Sequence, residues 1–116
     1  MTGDKETEMI EFPPPINGTI TQEWSEDHPA VDFACVTGRP VWAVTDGKTT
    51  RHYSSRMGWV VTVVSPDGTV TSYSHLHEAF APGDVKQGET IGLCGNTGSW
   101  STGPHLHFEA NVPYHF

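Results

Sequence analysis

A chain of 116 residues with a formal charge of −8 and only six Lys and Arg is long enough for one modest core. It lacks the clustered positive charge that nucleic acid or an anionic membrane surface requires of a partner. No apolar run approaches the roughly 20 residues of a membrane span, and the opening MTGDKETEMI has neither the basic start nor the apolar middle of a signal peptide.

Residues 1–15 begin with Asp4, Glu6, Glu8 and Glu11 and end in a proline run. They read as a polar, Pro-rich arm, whose acidic first eleven residues are expected to be mobile, ahead of a single domain over residues 16–116. Beyond it nothing has the period of a long helix. Twelve glycines and nine prolines punctuate short β-branched runs, the pattern of an all-β domain built as an antiparallel sheet or open sandwich. Gly18 opens a first strand, and AVDFACV follows. PVWAVTDGKTTRHYS is expected to form a hairpin broken at Asp46-Gly47. GWVVTVVSPDGTVTSYSHL is the clearest hairpin in the chain, with Pro66-Asp67-Gly68 at its tip. APGDVKQGETIGLCG supplies a loop and a short strand, NTGSWSTGP a loop rich in Gly, Ser and Thr, and HLHFEA the last strand. Cys35 and Cys94 each lie in an apolar run without Cys-x-x-Cys spacing. They read as small buried hydrophobes, with one disulfide between them left open.

The last strand poses a chemical question. Side chains alternate along a strand, so Leu106, Phe108 and Ala110 share one face, and His105, His107 and Glu109 share the other. Two imidazoles on the open face of a half-buried strand suit chemistry, although a solvated face gives the same pattern. Upstream, His28 and Asp32 stand four apart on a turn entering a strand. An imidazole and a carboxylate so placed can converge on a metal, with one histidine of the HLH strand as third ligand and a fourth position open to water. The same spacing also suits a plain turn with a solvent-facing aspartate. Other catalytic patterns are absent. His77-Glu78 has Ala81 where a helical zinc motif needs its second histidine, and Ser99 stands two before Ser101 where a nucleophile elbow needs glycine.

In combination, HPAVDFA, YSHLH and GETIGLCGNTGSWSTGPHLHFEA resemble the lysostaphin/LytM-type zinc endopeptidases of peptidoglycan. The resemblance runs over roughly residues 18–110 and includes a Gly-x-Thr-Gly motif at residues 95–98. It implies the lysostaphin-type all-β fold, with a duplicated hybrid motif, and one Zn2+ per chain held by His28, Asp32 and His107. It also implies two catalytic histidines that bind no metal, His75 and His105. His52, His77 and His115 receive no role, and the family's usual glycine between the first His and Asp is replaced by Ala30. Glu109 is the guess for a partner that orients a histidine. The loops TQEWSED and GNTGSWSTG are expected to wall the cleft.

The function so implied is hydrolysis of stem or cross-bridge peptides of bacterial peptidoglycan, on the wall side of a cell, by a monomer. A compact catalytic domain without a leader suggests a phage lysin or virion-associated lytic enzyme. The alternative is a non-catalytic wall-binding or structural module of the same fold. His77 shares strand parity with His75, so alternation cannot choose between them. The motif favours His75, and the Pro82-Gly83 turn is expected to carry His77 away from the cleft.

Overall fold

The computed structural model describes residues 9–116, and among these there are eleven strands and no helix. Asp4, Glu6 and Glu8 of the expected arm lie outside the described residues. The strands are β1 (Ile10–Glu11), β2 (Ile20–Gln22), β3 (Val31–Ala34), β4 (Pro40–Trp42), β5 (Gly47–Ser54) and β6 (Gly58–Val64). They continue with β7 (Val70–Ala79), β8 (Asp84–Val85), β9 (Thr90–Cys94), β10 (His105–Ala110) and β11 (Tyr114–His115). The main sheet runs β2-β3-β10-β7-β6-β5-β8, and β9 pairs with both β7 and β4. Every pairing in it is antiparallel; only the small β1-β11 ribbon is parallel.

The expected β6-β7 hairpin forms as its turn chemistry requires. Asp67 accepts from the Thr69 amide at 3.0 Å and contacts the Ser65 hydroxyl, and Gly68 takes φ +89°, which a side chain would resist. Alternation then buries Val61, Val63, Thr71 and Tyr73 on one side of the pair. Tyr73, wholly enclosed, has its phenol pushed up to about 12 by burial. Its hydroxyl is still bonded, accepting from the Val44 amide at 3.0 Å.

Three expectations are corrected. The hairpin at Asp46-Gly47 does not form: β4 pairs with β9, and β5 pairs with β6 and β8. Asp46 instead accepts from the Gln87 amide at 2.7 Å, bracing a neighbouring loop. Cys35 and Cys94 are joined in a disulfide across 6.6 Å between Cα atoms, so they are a cross-link, not two independent small hydrophobes. The end of the expected arm is packed: Phe12 and Pro15 are buried, and the Pro15 carbonyl accepts from the Trp42 amide at 2.7 Å. Phe12 joins Phe108, Tyr114 and Phe116 in an aromatic cluster with ring centroids 5.1–6.3 Å apart. Burying such rings and stacking them edge to face is favourable enough to dock a short segment that has little regular structure of its own.

Candidate active site and metal centre

On β10 the alternation holds. Leu106 and Phe108 are buried in the core, and His105 and His107 face a cleft of about 450 Å3. β10 lies between β3 and β7, with His107 paired directly opposite Asp32 and, on the other side, Ser74. The turn that leads into β3 places His28 beside this pair. Its ends are closed by backbone bonds between Ser25 and His28, and the Ser25 hydroxyl accepts from the His28 amide at 3.1 Å. Ala30 needs no left-handed backbone, since the only non-glycine residue with positive φ among the described residues is His75.

His28, Asp32 and His107 each offer a ligand atom, all within 4.8 Å of one another. The hydrogen bonds around them set which nitrogens are free. His28 Nδ1 donates to the Ala30 carbonyl at 3.0 Å, leaving Nε2 3.3 Å from Asp32 Oδ2. His107 Nε2 donates to Glu109 at 2.8 Å, leaving Nδ1 3.1 Å from Asp32 Oδ1. Despite that proximity, Asp32 Oδ1 is buried without a hydrogen-bond partner. In the neutral tautomer, the His107 lone pair therefore faces a carboxylate lone pair. Either a proton or a cation must lie between them, and two imidazoles with one carboxylate are the donor set of a catalytic zinc site.

The charges agree. Burial alone would raise Asp32, but the contact with His107 and the charges of His107, His105 and His28 outweigh it and hold the carboxyl below its usual range. Burial alone would lower His107, but the carboxylates of Asp32 and Glu109 on either side push it up to about 9. An imidazole that basic in the metal-free protein holds the proton a cation would displace.

His75 and His105 enter the same cleft from the other side, with ring centroids 4.8 Å apart. Each has its Nδ1 on a backbone carbonyl: His75 on Thr97 at 2.7 Å, His105 on Gly103 at 2.8 Å. The Ser101 hydroxyl lies a further 3.2 Å from His105 Nδ1. Both rings therefore keep Nε2 free. Burial lowers His75 and keeps it neutral, only partly offset by its bond to Thr97.

His75 reaches the cleft by breaking the strand. Between Tyr73 and Leu76, β7 opposes Ser74 and His75 to Val60 alone, and His75 takes φ +63°. A second irregularity opposes Leu76–Glu78 to Leu93–Cys94 and leaves His77 as the extra residue, exposed and outside the cleft lining. The two bulges, not the Pro82-Gly83 turn, separate His75 from His77. His52 and His115 are exposed and also outside the cleft.

The expected walls are half right. Trp100, from the Gly/Ser/Thr loop, lines the cleft, with the Arg56 guanidinium 4.9 Å over its ring. Asp27 of the other loop also lines it, but Trp24 faces a neighbouring cavity of about 770 Å3 beside Val112, Tyr114 and Phe116. Sequence reasoning missed Met57 in the cleft lining and Thr97 behind His75. The Gly-x-Thr-Gly motif was the available signal for Thr97.

The chain is 43% identical over 88 residues to the DD-carboxypeptidase/endopeptidase Mpg of Neisseria meningitidis, covering 73% of this chain and 20% of that protein. It is 37% identical over 98 residues to the peptidoglycan DD-endopeptidase ShyC of Vibrio cholerae, covering 82% of this chain and 21% of that protein. It therefore spans about a fifth of the length of these curated relatives. Among solved structures it resembles a zinc-containing peptidase from Vibrio cholerae, with a TM-score of 0.76 and 30% identity over 85% of this chain and 36% of that one. The family description Peptidase family M23 matches residues 26–114, most of the chain including His28, Asp32, His75, His105 and His107, and the chain belongs to that family of metallopeptidases.

Proposed function

We propose that this chain is a zinc-dependent endopeptidase that cleaves peptide bonds in the stem or cross-bridge peptides of bacterial peptidoglycan. The observation that carries the reading is one cleft holding two kinds of histidine. His28 and His107 turn toward Asp32 the ring nitrogens not bonded to Ala30 and Glu109, while His75 and His105 are anchored through Nδ1 beside them.

His28 Nε2, an Asp32 oxygen and His107 Nδ1 would hold the ion. The chemistry that zinc supplies when bound is Lewis acidity, which polarises a carbonyl and makes water acidic near neutral pH. The proton work falls to the chain. His75, kept neutral by burial, and His105 each present a free Nε2 that can accept a proton from the attacking water and return it to the leaving amine. In its protonated form, either ring becomes an Nε2–H donor toward the developing oxyanion. The carbonyls of Thr97 and Gly103 hold the rings in position through the proton transfer.

The Cys35–Cys94 disulfide supports action outside the reducing cytosol, on the wall side. All five residues come from one chain, which supports a working monomer, and size-exclusion chromatography checks this. A narrower form of the proposal is a phage lysin or virion-associated enzyme. Clearing of whole cells by protein added from outside fits it, and action on isolated wall alone speaks against it. The deciding experiment is digestion of purified peptidoglycan from several bacterial types, with and without a chelator, and mass analysis of the fragments. Peptide-bond cleavage that stops with chelator and returns with zinc is expected. Binding without fragments would make the chain a wall-binding module instead.

A further inference from the structure

The mechanism above uses only the carbonyl of Thr97 in the Gly-x-Thr-Gly motif, yet its hydroxyl and amide also bond the backbone around His75. We infer that Thr97 is a positioning residue that holds the β7 bulge and aims His75 into the cleft. The inference rests on the proposed function only in taking His75 as the group being aimed.

A bulge that opposes two residues to one leaves backbone groups without ladder partners. Here Met57 and Thr97 supply them: the Met57 carbonyl accepts from the His75 amide at 2.8 Å, and the remaining bonds are made by Thr97. Its hydroxyl donates to the Leu76 carbonyl at 2.6 Å and accepts from the Trp59 amide at 3.1 Å, bridging β7 and β6 where their register shifts. Its carbonyl takes the Nδ1 proton of His75 at 2.7 Å, and its amide donates back to the His75 carbonyl at 3.4 Å. Thr97 thus braces the distorted ladder and selects the tautomer of the ring that the distortion displays. The fit is close. A Cβ on Gly58, itself at φ +70°, would meet Thr97 Oγ1 at 2.2 Å, so only glycine admits the hydroxyl there. A non-glycine residue at φ +63° is held in a left-handed conformation that its side chain disfavours, at a cost in strain. That cost calls for surrounding bonds that over-determine the conformation, and Thr97 supplies four of them.

Thr97→Val keeps the shape and removes the hydroxyl, and with it the bonds to the Leu76 carbonyl and the Trp59 amide. It should lower kcat on peptidoglycan about 10- to 100-fold, the cost of misplacing a reacting group by about an ångström, with KM and zinc content unchanged. Thr97→Ser restores the hydroxyl and should recover most of that turnover. Long-range 1H–15N spectra of wild-type protein should show His75 protonated at Nδ1 and bare at Nε2, and Thr97→Val should shift or broaden those signals.

Wild-type kcat in Thr97→Val with unchanged His75 signals would overturn the inference, even if Tm falls. So would a Thr97→Ser variant as slow as Thr97→Val, or a wild-type His75 carrying its proton on Nε2. If Thr97→Val does not fold, the wild-type spectrum and Thr97→Ser still decide the matter. The spectra need no turnover, so a chain inert on peptidoglycan would remove the proposed function and still leave the positioning role tested.

Discussion

The two halves of the cleft are built by opposite means. The half with His28, Asp32 and His107, the proposed metal half, stands on regular pairing: β10 runs antiparallel to β3, and this register alone puts His107 opposite Asp32, with a short turn adding His28. The half with His75 and His105, the proposed catalytic half, stands on irregularity. His75 faces the cleft only because β7 bulges and turns left-handed there, and His105 depends on the loop that precedes β10. A ligand set needs donors that converge from two neighbouring strands, which ordinary pleating provides. A proton-transfer group, the role proposed for His75, must instead be held at one distance from a reacting atom, and here the backbone is bent and cross-braced. The disulfide ties the halves together, since Cys35 follows the strand of Asp32 and Cys94 precedes the segment of Thr97.

Separating the halves by mutation gives the largest expected effect. Asp32→Ala and His107→Ala should lose most of the bound zinc and with it hydrolysis. His75→Ala should keep the zinc and still lose about a hundredfold or more in turnover. Metal analysis beside assays on one peptidoglycan substrate checks both. Loss of zinc from His75→Ala as complete as from His107→Ala would merge the two halves.

Cutting the tie between them should act on stability. The disulfide spans a sequence separation of 59 residues, which in the chain-entropy account corresponds to about 4 kcal/mol. Reduction, or Cys35→Ser with Cys94→Ser, should lower the denaturation midpoint accordingly, as equilibrium unfolding would report. An unchanged midpoint would mean that sheet pairing alone holds β3 against β9.

Protons should distinguish the halves more gently. In the metal-free chain His107 is raised to about 9, above its unfolded value. It therefore contributes stability that is full below about pH 6.5 and lost as pH rises through about 9, at most about 3 kcal/mol. Asp32 and Glu109 are lowered, so they contribute stability present above the ordinary carboxylate range and lost as pH falls through their folded values. Metal-free protein should accordingly be most stable between the carboxylate range and about pH 6.5. Stabilisation by added zinc should grow with pH, because ligation needs neutral His107. Scanning calorimetry with and without zinc at pH 6 and 9.5 measures both trends. A zinc effect larger at pH 6 would contradict this account of the metal half.

The smallest effect is expected at His77, the extra residue of the second bulge, exposed and outside the cleft. His77→Ala should change turnover less than about tenfold, against the larger loss set for His75. The reverse ranking at matched zinc content would transfer the catalytic role to His77.

Much of the metal half was legible without coordinates. Alternation along HLHFEA divides core from cleft, and the motifs name the strands that carry the candidate ligands. The β6-β7 hairpin was legible too, because each residue of its turn has a local reason to be there. Where local signals competed, reading failed. Asp46-Gly47 has the chemistry of a hairpin tip, but β4 pairs with the distant β9, and pairing partners are chosen by packing, not by the nearest turn. Phe12 looked like part of a polar arm because its neighbours in sequence are acids and prolines, whereas its neighbours in space are aromatic rings.

By itself the sequence determined what is periodic or local: the all-β class, the two faces of β10, the turn at Asp67-Gly68, and the residue types able to hold a metal. The tertiary structure decided what depends on distance between remote segments. It joined Cys35 to Cys94, set Thr97 on His75, and used two bulges to turn one of two histidines of equal parity into the cleft and the other out to solvent. Parity is a property of a regular strand, and a single inserted residue reverses it. Whether a strand tolerates that insertion depends on a partner 21 or 22 residues away supplying the missing hydrogen bonds.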